Sequence, residues 1–444
     1  MLISVSMAET FDVLIRGGLV VTPEGVVAAD IGVRGGEIAA IGAISGDAAE
    51  IVDVTGLHVL PGVIDAHVHF REPGLTRKED FETGSRAAVL GGVTTVFEMP
   101  NSDPATVSAE HLADKLARAK GRMACDYAFY IGGTSENADE LGELERLPGC
   151  AGVKIFMGAS TGSLLLADDD GLKRALASGS RRISFHAEDE IRLQARKALA
   201  LPGRPDTHPV WRDAESARLA GERLIGLARV AGRKVHVLHA TTAQEMALYA
   251  EHRDIASVEV TVNHLSMVAP DCYERLGTYA QMNPPVREAS HQAALWQAVR
   301  DGVIDAIGSD HAPHLGAEKD APYPQSPSGM PGVQTLVPMM LSHVAAGRLS
   351  LERMVQLTSA GPAWVYGVEG KGLIAEGFDA DFTIVDLKAK RVIRNEDMAS
   401  RCGWTQFDGY EATGWPVMTL VRGQIVMRDG AVVGAPRGMA ARFR

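Results

Sequence analysis

The chain has 444 residues, 46% hydrophobic and 23% charged, with a formal net charge of −12 at pH 7. That length exceeds one minimal core and suits a large barrel-type domain with a smaller companion. The acidic balance argues against a nucleic-acid partner, which needs a basic face, and no run approaches the roughly 18 apolar residues of a membrane span.

The first residues, MLISVSMAETF, lack the basic and apolar stretches of a secretory leader, so a cytoplasmic protein is expected, with Met7 an alternative start. Residues 12–43 then alternate short β-branched runs with glycine turns, and residues 418–434 do so again. Ile15-Arg16-Gly17-Gly18-Leu19-Val20 matches Val421-Arg422-Gly423-Gln424-Ile425-Val426. Such patterns predict antiparallel hairpins. They would form either one small β-sandwich built from both termini or two unrelated appendages.

Between these ends the period changes. Strand-like apolar runs at 63–69, 93–99, 126–133, 151–158, 183–188, 234–241, 257–265 and 304–314 alternate with helical patterns near 108–120, 138–146, 209–231, 242–252 and 289–301. Near-continuous apolar strands followed by amphipathic helices are buried parallel strands. Eight βα units predict an α/β fold of the TIM (β/α)8 barrel type. A doubly wound sheet is the alternative, but no G-x-G-x-x-G turn supports it. The expected division is a sandwich part at 1–60, the barrel at 61–365 and the second sandwich part at 366–444. Cys125, Cys150, Cys272 and Cys402 are scattered without a C-x-x-C pair, which fits reduced structural thiols.

Functional residues of a TIM barrel sit at the carboxyl ends of its strands. The first run ends in His67-Val68-His69, and alternation points both imidazoles to one side, although a surface pair has the same pattern. Lys154 lies in the middle of AGVKIFMG. Either it snorkels from a strand end, or it is buried with a lowered pKa that lets its amine take up carbon dioxide as a metal-bridging carbamate. His186 and His239 end the fifth and sixth runs and Asp310 the eighth. Singly each reads as a hydrogen-bonded core residue; together they point into one mouth. Nitrogen and oxygen ligands without thiolate suit two zinc or related divalent ions.

The set H-x-H, Lys, His, His, Asp on such a barrel resembles the amidohydrolase superfamily. Residues 61–101, 308–319 and 326–335 are similar to dihydroorotase motifs. The resemblance covers almost the whole chain. It implies that His67, His69, Lys154 and Asp310 bind one Zn2+, and that carboxylated Lys154 with His186 and His239 binds a second. Asp310 would also act as general base in closing N-carbamoyl-aspartate to dihydroorotate and opening it again, a step of pyrimidine synthesis. Arg71, Asn101, Asn283 and His314 would hold the substrate carboxylate and ring amide, with backbone contacts at Ser328 and Gly329. Read from the residues alone, Asn101 and Asn283 are equally turn formers beside proline, and Arg71 a surface partner of Glu72 or Glu79.

Two segments depart from the family pattern: EVTVNHLSM (259–267) keeps only His264, and the run after Lys154 suggests a distinct loop over the mouth. The rival activities are allantoinase and hydantoinase, whose rings carry no carboxylate and whose families lack the arginine at position 71. A metal-free scaffold homologue would lose ligands, and here each expected ligand is present. The implied partner is a small-molecule substrate, with no nucleic acid or membrane, and the expected assembly is a homodimer, the commonest closed form.

Overall fold

The computed structural model describes residues 10–444; the expectations about the leader and the start at Met7 lie outside the described residues. Eight parallel strands run in chain order: Val63–Val68, Val93–Glu98, Asp126–Gly132, Cys150–Phe156, Ile183–His186, Val235–Val237, Ala256–Thr261 and Ala306–Gly308. Every residue in them is buried, which is why they read as unbroken apolar runs instead of alternating ones. The eighth strand returns to the first through a Val68–His311 bridge and a 2.7 Å hydrogen bond from His69 N–H to His311 O, so the barrel closes at its carboxyl rim.

The intervening helices Ala109–Ala119, Ala243–Ala250 and Ala289–Arg300 fall where their periodicity places them. Two differ. The helix expected at 138–146 is a single turn, Leu141–Leu144, with no side-chain cap, cut short by Pro148-Gly149. The long stretch at 209–231 breaks into His208–Trp211 and Ala214–Ala231, because Asp213 caps the second helix by accepting the Ser216 N–H at 3.1 Å.

The opposite end of the barrel is plugged. Phe97 packs against Tyr366 and Phe443 at ring distances of 5.4 and 5.5 Å, and Tyr130 donates its hydroxyl to Ala66 O at 2.9 Å. The carboxyl-terminal tail pairs with Tyr127 at the start of the third strand, which places this plug at the amino end. An apolar floor leaves the chemistry to the other rim.

Nine strands form the second sheet. Its centre is Thr10–Thr22, which takes Gly25–Arg34 as an antiparallel partner and, along its two halves, Asp47–Asp53 and His58–Pro61 as parallel partners. His58–Pro61 then pairs with Phe382–Val392, so both termini share one core that joins Val20, Ile31 and Val59 to Phe382, Ile384 and Leu420. This is one unit, not two appendages. The matching hexapeptides nevertheless play different parts. At Ile15–Gly18 the strand bulges, with Gly17 at φ 75°. At Val421–Gln424 the chain makes a hairpin turn through Arg422 and Gly423 at φ 46° and 72°.

The two units meet at an ionic hub. The Lys371 ammonium lies 2.8, 2.8 and 2.5 Å from carboxylate oxygens of Asp126, Asp379 and Asp381, and Arg422 pairs with Asp126 as well. Asp126 opens the third barrel strand, whereas the other residues belong to the sheet side. Replacing Lys371 by Met leaves three buried or half-buried carboxylates facing one another. Equilibrium urea unfolding is expected to show a loss of about 3 kcal/mol or more; a loss within ~0.5 kcal/mol would mean the hub contributes nothing net.

Candidate metal centre

The first strand carries His67 at its end and His69 just beyond, and each ring is oriented from behind. His67 Nδ1 lies 2.7 Å from Glu259 Oε1 on the seventh strand, and His69 Nδ1 lies 2.7 Å from Asn101 Oδ1. Both acceptors demand a proton on Nδ1, which leaves the Nε2 lone pairs free to point inward. They converge on one atom: Asp310 Oδ1 is 3.3 Å from His67 Nε2 and 3.2 Å from His69 Nε2. The ligand atoms of these three residues lie within 4.8 Å of one another, a spacing that one divalent ion can bridge.

A second pair faces them. His186 gives its Nε2 to Glu188 at 2.8 Å, so its Nδ1 is turned towards His239 Nε2 at 3.0 Å. Glu188 is itself held by Arg212, which keeps its carboxyl well below the usual range against the effect of burial. His239 Nδ1 is buried without a hydrogen-bond partner.

Lys154 sits between the two groups. It is 1% exposed, and its ammonium has no hydrogen-bond partner, only the Phe156 ring at 4.6 Å. Its charge acts on His67 and Asp310 on one side and on His186 and His239 on the other. Burial lowers its pKa to about 7 despite Asp310 and Glu259, so an appreciable share of the amine is neutral at physiological pH. The snorkelling alternative fails on burial.

Burial also lowers His69 to about 4 and holds His186 and His239 below the ordinary imidazole range, so all three present lone pairs at neutral pH. His67 differs: burial works against its charge, but Asp310 and Glu259 together raise its pKa. Asp310 is pushed up by burial and drawn down further by His67, His69 and Lys154, to about 2. It is a carboxylate throughout the neutral range.

The donor set fits divalent metal: four imidazoles, a carboxylate, and an amine with no hydrogen-bond partner. The other acidic cluster that could hold an ion, Asp126, Asp379 and Asp381, already encloses the Lys371 ammonium.

Of the five non-glycine residues with left-handed backbone among the described residues, three are Arg71, His239 and Asp310, at φ 63°, 39° and 48°. Strain of this kind is held in place where side chains must be aimed. Arg71 is 2% exposed, and neither Glu72 nor Glu79 pairs with it. Its Nε donates to Pro313 O at 3.2 Å, and Nη2 lies 3.3 Å from His314 Nε2. Arg71, Asn101, Asn283, Ser328 and Gly329 line the same cavity as the histidines, and His314 borders it through Arg71 and Ser328. Several of these groups are already engaged. Asn101 Nδ2 donates to Thr161 O, Asn283 Oδ1 faces His208 Nε2 at 3.0 Å, and the Gly329 N–H is given to Gln281 O. The run after Lys154 does lie across the mouth, with Thr161 Oγ1 donating to Ser328 O at 3.1 Å. His264 is not among the residues lining this cavity; both its ring nitrogens are engaged, by Thr261 Oγ1 and Pro284 O.

The orienting residues Glu259, Glu188 and Asp65 were not singled out from the sequence. The signal was present: each is an acid inside or at the end of an apolar strand run, where an unpaired carboxylate is not tolerated. Asp65 receives the backbone N–H groups of His67 and Ser309 at 3.3 and 3.1 Å, and burial raises it to about 7.

With this geometry in view, the profile of the amidohydrolase family matches residues 58–426. The chain is 38% identical to a dihydroorotase of Halobacterium salinarum, over 93% of this chain and 96% of that protein. It is 37% identical to an allantoinase of Rubrobacter xylanophilus, over 98% of each. The solved structure of L-hydantoinase (dihydropyrimidinase) from Arthrobacter aurescens superposes with a TM-score of 0.92 at 32% identity, covering 97% of this chain and 99% of that one.

Exchanging Glu259 for Gln removes the charge that fixes the His67 ring. Zinc affinity, measured by chelator competition, is expected to fall about 10- to 100-fold with unchanged circular dichroism. Unaltered affinity would show that His67 needs no such support.

Proposed function

The chain belongs to the amidohydrolase family, and on that footing we propose that it is a dihydroorotase, interconverting N-carbamoyl-L-aspartate and dihydroorotate. Relatives named for three different rings match it about equally, so ancestry does not choose the substrate. The observation that carries the choice is Arg71: a guanidinium buried at the mouth with no carboxylate partner among the described residues. A buried cation left so is stabilised by an anionic ligand, and dihydroorotate brings a carboxylate where hydantoin and allantoin bring none.

In this reading His67, His69, Lys154 and Asp310 hold one zinc ion, and Lys154, His186 and His239 the other. When bound, the metals activate water and polarise the scissile ring carbonyl. The Lys154 amine adds to carbon dioxide through its nitrogen lone pair and releases a proton, which replaces an unpaired cation by a carbamate anion suited to both ions. Arg71 and His314 anchor the substrate carboxylate, and Asn101 keeps His69 in its productive tautomer. An Asp310 carboxylate oxygen accepts the proton of the attacking water and passes it to the departing ring nitrogen. Cyclisation runs these transfers in reverse. The loop carrying Thr161 and Ser160 shields the site from bulk water. Among the described residues no helix is long and apolar enough to cross a membrane, in keeping with a cytoplasmic enzyme, which we take to be a homodimer.

The deciding assay offers dihydroorotate, allantoin and hydantoin side by side to zinc-loaded protein. Selective opening of dihydroorotate is expected; turnover of a neutral ring instead would favour the hydantoinase reading, which the close superposition supports. Asp310→Asn is expected to lower kcat by about 10³-fold with metal retained. Arg71→Met is expected to raise KM for dihydroorotate about 10- to 100-fold, and an equal loss on hydantoin would remove the carboxylate role. Native mass spectrometry of protein loaded under bicarbonate should show the added mass of one carbon dioxide, absent from Lys154→Met.

A further inference from the structure

Lys78 approaches His314 at Nδ1, the ring nitrogen that does not meet Arg71 and Ser328. It follows the first barrel strand, two residues before Asp80 caps the helix Phe81–Leu90. Lys78 is 8% exposed, and its Nζ lies 3.0 Å from His314 Nδ1. An ammonium can only donate, so Nδ1 must offer a lone pair and the proton of the neutral ring must sit on Nε2. Ser328 O accepts that proton at 3.1 Å. The consequence reaches Arg71. Its Nη2 lies 3.3 Å from the same Nε2. With both nitrogens carrying hydrogen, that contact is no hydrogen bond, so Nη2 of Arg71, a residue that lines the cavity, keeps an unspent N–H.

The charges around His314 point the same way. Arg71, Lys78 and Lys319 all lie close enough to hold its ring below the ordinary range, after burial itself. Lys319 is fully buried and donates only to backbone carbonyls, among them Pro327 O at 2.8 Å and Gly329 O at 3.2 Å. The acid in contact is Glu318, 3.3 Å from Lys78 and 3.8 Å from His314 Nδ1, while Asp310, Glu98 and Glu79 act on Arg71 without pairing with it. Glu318 also serves Arg77 at 2.8 Å and the Leu315 N–H at 3.1 Å. Among the described residues no carboxylate pairs with Arg71 or Lys319, and a ligand anion at Arg71 would supply one.

We propose that Lys78 is a positioning residue for substrate selection: by locking His314 as the Nε2–H tautomer, it keeps an Arg71 donor free for the carboxylate of an anionic ring substrate. The inference rests on the dihydroorotase reading of Arg71 and His314. Without Lys78, His314 can turn its Nε2 lone pair to Arg71 and capture the donor that the substrate needs.

The test compares zinc-loaded wild type with Lys78→Met, Lys78→Gln and Lys78→Arg. For Lys78→Met and Lys78→Gln, KM for dihydroorotate is expected to rise about tenfold with kcat within about threefold, and Lys78→Arg to recover most of the loss. Long-range ¹⁵N spectra of the histidines, with His314 assigned by His314→Gln, should show Nε2–H in the wild type and loss of that state in Lys78→Met. Unchanged KM in an active enzyme, or a fall in kcat alone, would overturn the proposal. A wild type that opens no dihydroorotate would instead refute the functional reading. The spectra still decide the positioning claim in that case, since an Nε2–H ring that persists without Lys78 overturns it.

Discussion

The amine of Lys154 governs the arrangement of this protein. It is buried in the fourth strand among groups that offer it no hydrogen bond, and four imidazoles and a carboxylate surround it. A charge so placed destabilises the empty fold by an amount that only neutralisation or a compensating ligand removes. Burial supplies part of the remedy by bringing its pKa to about 7. In the proposed function, conversion to a carbamate with bound divalent ions would exchange that isolated cation for a balanced set. The residues around Lys154 are therefore best understood as one electrostatic system, in which the state of each depends on the others.

The rest of the structure keeps that system in place. Glu259, Asn101 and Glu188 set the tautomers of His67, His69 and His186 from behind. The left-handed backbone at His239, Asp310 and Arg71 aims side chains that a relaxed strand end would leave elsewhere. The floor of Phe97, Tyr130, Tyr366 and Phe443 closes the far end with apolar bulk. At the side, the Lys371 hub ties the terminal sheet to the third strand, so an unpaired charge at the mouth is tolerated within a scaffold that is well paired elsewhere.

The proposed selectivity rests on a separate cluster. Arg71, Lys78 and Lys319 surround His314 with positive charge, and Glu318 answers only part of it. In the proposed function the metal-holding groups are common to the whole family, whereas this cluster would distinguish a ring with a carboxylate from one without. Separating the two also separates their failures, since damage to one need not disturb the other.

The eight barrel strands, a β-unit shared by the termini and the positions of the histidines, Lys154 and Asp310 were legible in the sequence, although that unit is one nine-stranded sheet. Buried parallel strands must be apolar throughout, and polar residues at their ends have to be there for another reason. Other features were decided only by the tertiary structure. Two similar hexapeptides became a bulge and a turn because their strand partners differ. Asn101, expected at the substrate, has its carbonyl turned to His69, a contact between residues 32 apart in the chain. Glu259 meets His67 across 192 residues, and Lys78 meets His314 across 236. Periodicity reports how one segment faces its own core; it carries no record of which distant side chain arrives opposite. Strand ends could thus be read one at a time, while the hydrogen bonds that set tautomers and free donors come into being only when the barrel closes.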